Sequence, residues 1–255
     1  MLNPDWYEAI DRRISRRRFA GERMSTEAAG ALARFCEEFR PAPGARAVLV
    51  EHAPDGLFTG LVGSYGSVVG ATSAALFVGR RESEIDVGYV GEAFVLEATR
   101  LRLDTCWVAG AFSRKRAASL CELSDEERVP AIAAVGIAEV KQSFSEKATR
   151  SFVHAPRRLP LEEIAPGASP GDWPDWARVA VEAARKAPSG GNKQPWRFRL
   201  EDGALVLSCA EHPYPTAKLD LGIAMIHAEL GAEHAGVEGS WEKLVGTDVA
   251  RYVTR

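Results

Sequence analysis

Cysteine is scarce in this sequence, and its placement carries no metal or redox pattern. Cys36, Cys106, Cys121 and Cys209 lie far apart without CxxC spacing, which argues against a zinc cluster or a disulfide framework and points to a reducing compartment. No window approaches the roughly 18 consecutive apolar residues of a membrane span, and the opening MLNPDWYEAIDRR lacks the apolar core of a secretion signal. Neither sign of charge dominates: a net charge of −3 gives no global reason to expect nucleic acid or an acidic membrane as a partner. The expectation is a cytoplasmic chain. Its 255 residues, 46% hydrophobic and 26% charged, suffice for one large globular domain or two smaller ones.

What is present alternates between helical and extended patterns. PDWYEAIDRRISRRRF begins with Pro4 and places Trp6, Ile10 and Ile14 at helical spacing. STEAAGALARFCEEFR opens on a capping hydroxyl and continues as an amphipathic helix through Leu32, Phe35 and Phe39. RAVLVE, SAALFVG and, after Pro130, AIAAVGIA read as strands. EIDVGYVGEAFVLEATRLRL is the strongest helix, apolar on most sides, and DTCWVAGAF after it reads as a loop, with a short helix around RKRAASLCEL. Residues 143–175 are polar and proline-rich, a linker or wrapping arm. Beyond it come the helix WPDWARVAVEAARKA, the hairpin WRFRLEDGALVLSC with Asp-Gly at its turn, and the long helix DLGIAMIHAELGAEHAG. The fold class expected is α+β, with a mixed, mostly antiparallel sheet flanked by helices.

One internal echo stands out. Asp86–Trp107 and Asp220–Trp241 coincide without gaps at five of twenty-two positions, among them Gly88/Gly222 and Trp107/Trp241. The spacing suggests two pseudo-repeated halves, 1–150 and a shortened 172–255, joined by a linker at 151–171.

Two segments carry the chemistry. APSGGNKQPW, from Ala187, passes from a helix into consecutive exposed amides flanked by Ser189, Asn192 and Gln194, which suits close approach of a flat polar ligand; a helix cap leading into an edge strand is the plainer reading. RRISRRRF holds five arginines in eight residues, which suits a phosphate, a solvated basic helix end or a nucleic-acid patch. Aromatic interleaving of the kind used for single-stranded nucleic acid is absent around it, leaving nucleic acid a minor option. His52, His154, His212, His227 and His234 have neither metal-ligand spacing nor triad neighbours, so no metal site is expected and no dedicated protein acid is evident.

Together, Arg13, Ser15, Arg17 and Phe19 with Pro188, Ser189, Gly190, Asn192, Gln194, Pro195 and Trp196 resemble the motifs of the FMN-dependent nitroreductase family. GEAFVLEATRLRLDTCWVAGAF is similar to that family's long central helix and following loop, although Arg102 and Asp104 stand where glycines are common. The resemblance implies one noncovalent FMN with NAD(P)H as reductant. A small electron-poor molecule, such as a nitroaromatic or quinone, would be the acceptor. It implies Arg13 on the phosphate, Ser15 and Arg17 on the ribityl chain and pyrimidine edge, and the amides of Ala109 and Gly110 near the ring, with Cys106 and Trp107 as core. It implies a late basic residue, Arg158 in preference to Lys147, Arg150 or Arg157, and closure of the site by Pro188, Ser189, Gly190, Asn192 and Gln194. Because the loop follows the family-like core here, the chain is similar to a fused pseudo-dimer, hence monomeric, in which the reciprocal site is defunct.

Overall fold

The computed structural model describes residues 2–59, 67–140, 157–166, 172–210 and 214–255. Helix α1 (Asp5–Arg12) buries Trp6, Ala9 and Ile10. Helix α2 (Thr26–Glu38) starts where the Ser25 side chain accepts the amide of Ala28 at 3.1 Å, a cap that contributes about 1 kcal/mol. Strands β1 (Ala45–Val50) and β2 (Ser73–Arg80) pair antiparallel, and the chain then enters helix α3 (Glu84–Arg100). Val90, Ala93, Phe94 and Leu96 of α3 are wholly buried, as its near-continuous apolar run predicts.

After α3 the structure departs from the expected loop: Asp104–Val108 form strand β3. Thr105, Cys106, Trp107 and Val108 are β-branched, small or aromatic and fit a pleated, half-buried surface. They pair antiparallel with strand β4 (Glu127–Gly136). Helix α4 (Arg114–Ala118), shorter than expected, lies between them. Strand β4 also begins earlier than Pro130 suggested. Val129 and Pro130 stand together opposite Val78 in a bulge, and the β3 pairing reaches only to Ile132, so the missing proline N–H breaks no ladder bond there.

The second part repeats this plan. A short helix α5 (Leu161–Ile164) and helix α6 (Asp175–Arg185) precede strands β5 (Trp196–Glu201) and β6 (Ala204–Cys209). Asp202 at φ 50° and Gly203 at φ 77° make the two-residue turn that the Asp-Gly pair predicts. Helix α7 (Ala217–His234) follows, then strands β7 (Gly239–Lys243) and β8 (Asp248–Thr254), which the sequence reading did not anticipate. The sheet orders are β1-β2-β4-β3 and β5-β6-β8-β7, so each sheet is hairpin, long helix, antiparallel pair. Both sheets are antiparallel, and the parallel pairings among the described residues are the isolated bridges Ser15–Thr105 and Arg18–Val69.

The two long helices pack directly against each other. Their closest approach is reciprocal: a Cβ on Gly88 would overlap the carbonyl oxygen of Leu219, and a Cβ on Gly222 would overlap that of Ile85. Ile85 precedes Gly88 by the same three residues that separate Leu219 from Gly222. Side chains at either glycine would force the helices apart. We expect Gly88→Ala and Gly222→Ala each to destabilise the protein by about 1–3 kcal/mol; urea denaturation curves coincident with wild type would reject the crossing as a tight constraint.

Candidate functional site

A cavity of about 350 Å³ opens where five stretches of chain meet. Ser15 and Arg17 come from the segment after α1, Val68 from the connection between β1 and β2, Cys106–Ala111 from β3 and its exit, Pro188–Gly191 and Lys193 from the loop after α6, and Tyr214–Thr216, Leu219, Asp220 and Ile223 from the approach and first turns of α7. Its size is that of a small-molecule site.

The arginine-rich segment is not a uniform basic patch. It runs beside β3, with the Arg16 amide donating to the Thr105 carbonyl at 2.9 Å. Arg12 pairs with Glu8 at 3.4 Å, Arg13 with Glu92 at 3.6 Å, Arg16 with Asp104 at 3.9 Å and Arg18 with Glu139 at 3.3 Å. Arg17 lines the cavity. Asp104, at a position where the resemblance leads one to expect glycine, therefore has a task of its own: it meets Arg16 and accepts the Ala138 amide at 3.1 Å. Arg102, the other such position, sits at φ 64°, the left-handed region that favours glycine.

The Gly-Gly loop is built from strained backbone held by side chains. Gly191, Asn192 and Gln194 all have positive φ, at 62°, 57° and 50°, and such conformations persist only where the surroundings over-determine them. Here they do. The Gln194 amide donates to Ser189 Oγ at 2.9 Å, its Oε1 accepts the Leu159 amide at 2.9 Å, and its Nε2 donates to the carbonyl of Asn192 at 3.2 Å. Asn192 Nδ2 donates to the Arg157 carbonyl at 2.8 Å, and its Oδ1 accepts from Arg158 at 3.1 Å. Gly190 is required for space, because a Cβ there would lie 2.6 Å from Thr216 Oγ1.

Behind the cavity lies a wholly buried carboxylate, Glu92 of α3. It accepts the indole N–H of Trp107 at 2.7 Å, and His227 Nε2 of α7 stands 3.0 Å from its other oxygen. His227 Nδ1 faces the Ala183 carbonyl at 3.1 Å, so that nitrogen carries a proton. One carboxylate thus joins both long helices, the arginine segment and a residue of the cavity wall.

Asp220, 4% exposed, faces the cavity from α7. Burial pushes its carboxyl up to about 7, against the pull of hydrogen bonds from Tyr214 and the Gly190 amide; the nearby Glu92 charge adds to the rise and a Thr216 hydrogen bond opposes it. The Gly190 amide donates to Oδ2 at 2.9 Å, and the Tyr214 hydroxyl donates to the same oxygen. Burial, with the Asp220 charge, also drives the Tyr214 phenol far above its ordinary value.

Of the residues singled out in the sequence, Ser15, Arg17, Ala109, Gly110, Pro188, Ser189 and Gly190 line the cavity. Arg13 is directed to Glu92, while Arg158, Asn192 and Gln194 are engaged in holding the loop. Lys147, Arg150, His154 and His212 lie outside the described residues. Trp107 and Cys106, read as core, contribute to the wall. Asp220, Tyr214 and Glu92 were missed; the one available signal was that Asp220 falls in the internal echo. Among the described residues no cluster of potential metal ligands occurs, and no helix is long and apolar enough to cross a membrane.

Two antiparallel sheets with their long helices crossed, and a cavity bounded by an arginine-serine segment, a strand exit and a Gly-Gly loop, define a nitroreductase fold. The chain matches the family described as Putative TM nitroreductase over residues 5–232, and it belongs to that family. A crystal structure of a Thermotoga maritima protein of the same description overlays on 99% of this chain and 94% of its own, at 21% identity and a TM-score of 0.66. An FMN-dependent nitroreductase of Clostridium difficile overlays on 53% of this chain and 90% of its own (15% identity, TM-score 0.42). A Bacteroides fragilis nitroreductase with bound FMN overlays on 54% and 92% (14% identity, TM-score 0.40). Comparison with curated proteins returned no match.

Two outcomes follow from these buried carboxyls. Glu92→Ala leaves Arg13 and His227 buried without their partner, and should cost about 3–5 kcal/mol in a denaturant titration; a loss below 1 kcal/mol would show the cluster to be dispensable. Asp220 has a folded-state value above its unfolded one. Its contribution to stability is therefore complete below about pH 4, the unfolded value, and is lost as pH rises towards 7. Asp220→Asn should flatten that decline without abolishing it, because burial also raises Glu229 to about 7. Identical slopes for variant and wild type would contradict a buried, protonated Asp220.

Proposed function

We propose that this protein is an FMN-dependent NAD(P)H oxidoreductase reducing electron-poor small molecules such as nitroaromatics or quinones, with one noncovalent FMN per chain. The observation that carries the reading is the meeting of Ser15 and Arg17, Ala109 and Gly110, and Pro188, Ser189 and Gly190 around one cavity of about 350 Å³. The walls fit such a cofactor. Trp107, Val108, Leu219 and Ile223 offer apolar surface for a flat ring, and Ser15, Ser189 and Thr216 offer hydroxyls at its rim. A Cβ at Gly110 would meet nothing within 4 Å, so the backbone there is bare and approachable.

FMN, when bound, supplies hydride exchange between a nicotinamide and a second small molecule that alternate at one ring face. The protein binds, orients and restricts. Arg17 brings a permanent cation with several donors, suited to a phosphate or to the negative charge of a reduced ring. The amides of Ala109 and Gly110 offer donors just beyond the end of β3. Arg13, through Glu92, and Arg158, Asn192 and Gln194, through the loop, brace these walls from behind.

The same reading treats residues 1–150 and 172–255 as two fused halves bridged by 151–171, which together do the work of a family dimer as a monomer. The shared strand order supports that division, and the second half has no Arg-x-Ser-x-Arg segment to build a reciprocal site.

Purified protein reconstituted with FMN should bind close to one equivalent, and anaerobic NADH or NADPH should bleach its yellow colour. Flavin that stays yellow with both would leave a flavin-binding protein without turnover, and the oxidoreductase reading would fall. Arg17→Ala should weaken FMN binding by about 10- to 100-fold, the loss of a charge-assisted contact; unchanged affinity in a fluorescence titration would remove Arg17 from the site.

A further inference from the structure

Tyr214 and Asp220 form a hydrogen-bonded pair in the cavity wall that holding a flavin does not by itself require. Two-electron reduction of a quinone consumes a hydride equivalent and also a proton, and the groups able to give that proton at the cavity are few. Among the described residues, the ionisable ones that line it are Arg17, Cys106, Lys193, Tyr214 and Asp220. Arg17 does not release protons at any ordinary pH. Lys193 stands 4.4 Å from the Tyr214 ring centre, over its face, and the Cys106 thiol is turned to the Trp107 carbonyl at 3.6 Å. Histidine is no substitute among the described residues: His227 is sealed between Glu92 and Ala183, His52 is exposed away from the cavity lining, and His234 stacks on Tyr7.

We propose that Tyr214 and Asp220 are the proton-delivering pair of this site, acting on an oxygen of a quinone-class acceptor. The proposal rests on the flavin reading for its hydride. A bound flavin would supply the hydride for one O–H bond of the hydroquinone, and the Tyr214 proton forms the other. In the resting protein the Tyr214 hydroxyl donates to Asp220; with an acceptor bound it turns to the quinone oxygen, and the Asp220 O–H passes its proton to the phenol oxygen as the Tyr214 O–H bond breaks. The Asp220 carboxylate left behind is reprotonated from solvent before the next turnover. Quinone, hydride and proton thus balance to hydroquinone.

The surroundings suit both roles. Tyr214 need never exist as a phenolate, which its burial beside a carboxyl disfavours. Burial, against hydrogen bonds from Tyr214 and the Gly190 amide and with the Glu92 charge from α3, raises Asp220 to about 7, so that it exchanges its proton around neutrality. The other titratable groups facing the pair are the Cys209 thiol at the end of β6 and Lys193 on the loop. The Gly190 amide and Thr216 hold Asp220 in place, and a Ser189 hydrogen bond holds Tyr214. An asparagine can keep an acceptor for those donors while losing the acidic proton.

The test compares wild type, Asp220→Asn and Tyr214→Phe, each with FMN. Reoxidation of the reduced flavin is followed by stopped flow with benzoquinone, which needs a proton, and with ferricyanide, which takes electrons alone. The ratio of quinone to ferricyanide rate should fall about 100-fold in either variant, the scale of general acid catalysis. The fall of the wild-type quinone rate as pH rises through neutrality should also vanish in Asp220→Asn. Equal slowing with both oxidants would overturn the proposal and leave Asp220 as a residue that merely positions the Gly190 turn. Carbon-13 NMR of carboxyl-labelled aspartate in the flavin-free protein supplies a readout independent of turnover. A signal titrating near neutrality in wild type and missing from Asp220→Asn is expected, and its absence from wild type overturns the proposal whatever the flavin does. If neither nicotinamide reduces the flavin, the functional reading fails separately, because dithionite-reduced protein still gives the quinone-to-ferricyanide ratio.

Discussion

The structure depends on one helix crossing. Helices α3 and α7 meet at backbone distance, each glycine lying against a carbonyl of the other helix, and nearly every other surface of both is buried under a sheet or a smaller helix. Interior packing at this density transmits displacement in place of absorbing it. A shift at Gly88 or Gly222 moves Leu219, Asp220 and Ile223 on one side and Glu92 on the other. The cavity wall and the buried charge cluster are therefore set by the same contact that joins the two sheets.

Glu92 extends this constraint to polar groups. A carboxylate removed from water is tolerable only when it is hydrogen-bonded and paired, and here its partners arrive from three places outside α3: Trp107 on β3 and His227 on α7 within hydrogen-bond distance, and the Arg13 guanidinium of the segment after α1 as an ion pair at 3.6 Å. The cost of burying the charge thus selects one arrangement of those elements over looser alternatives. Asp220 illustrates the contrasting solution. It is buried at the cavity edge, takes its hydrogen bonds from hydroxyls and an amide, and responds to burial by a carboxyl raised to about 7.

Much of this was legible along the chain where local physics decides. Ser25 as a cap, the Asp202-Gly203 turn and the long apolar run of α3 all took the forms that their patterns imply. Strands β3, β7 and β8 were not legible because each is five to seven residues long and only partly buried. Their extended form is settled by partners rather than by their own periodicity. The Gly-Gly loop advertised itself through its density of polar side chains, but which of those side chains face a ligand is a matter of rotation about single bonds. Gln194 is almost fully buried on the 157–159 backbone, whereas Ser189 faces the cavity. Asp220, one acidic residue in the first turn of a helix, reads along the sequence as an ordinary dipole partner. Only the third dimension buries it.

The covering loop and the arginine segment belong to a single polypeptide, and this has a bearing on life at low abundance. When two walls of a pocket belong to separate subunits, scarcity empties the pocket by mass action. Here the cavity's lining residues, from Ser15 to Ile223, are joined by covalent continuity, which holds these walls at a fixed effective concentration whatever the abundance of the protein.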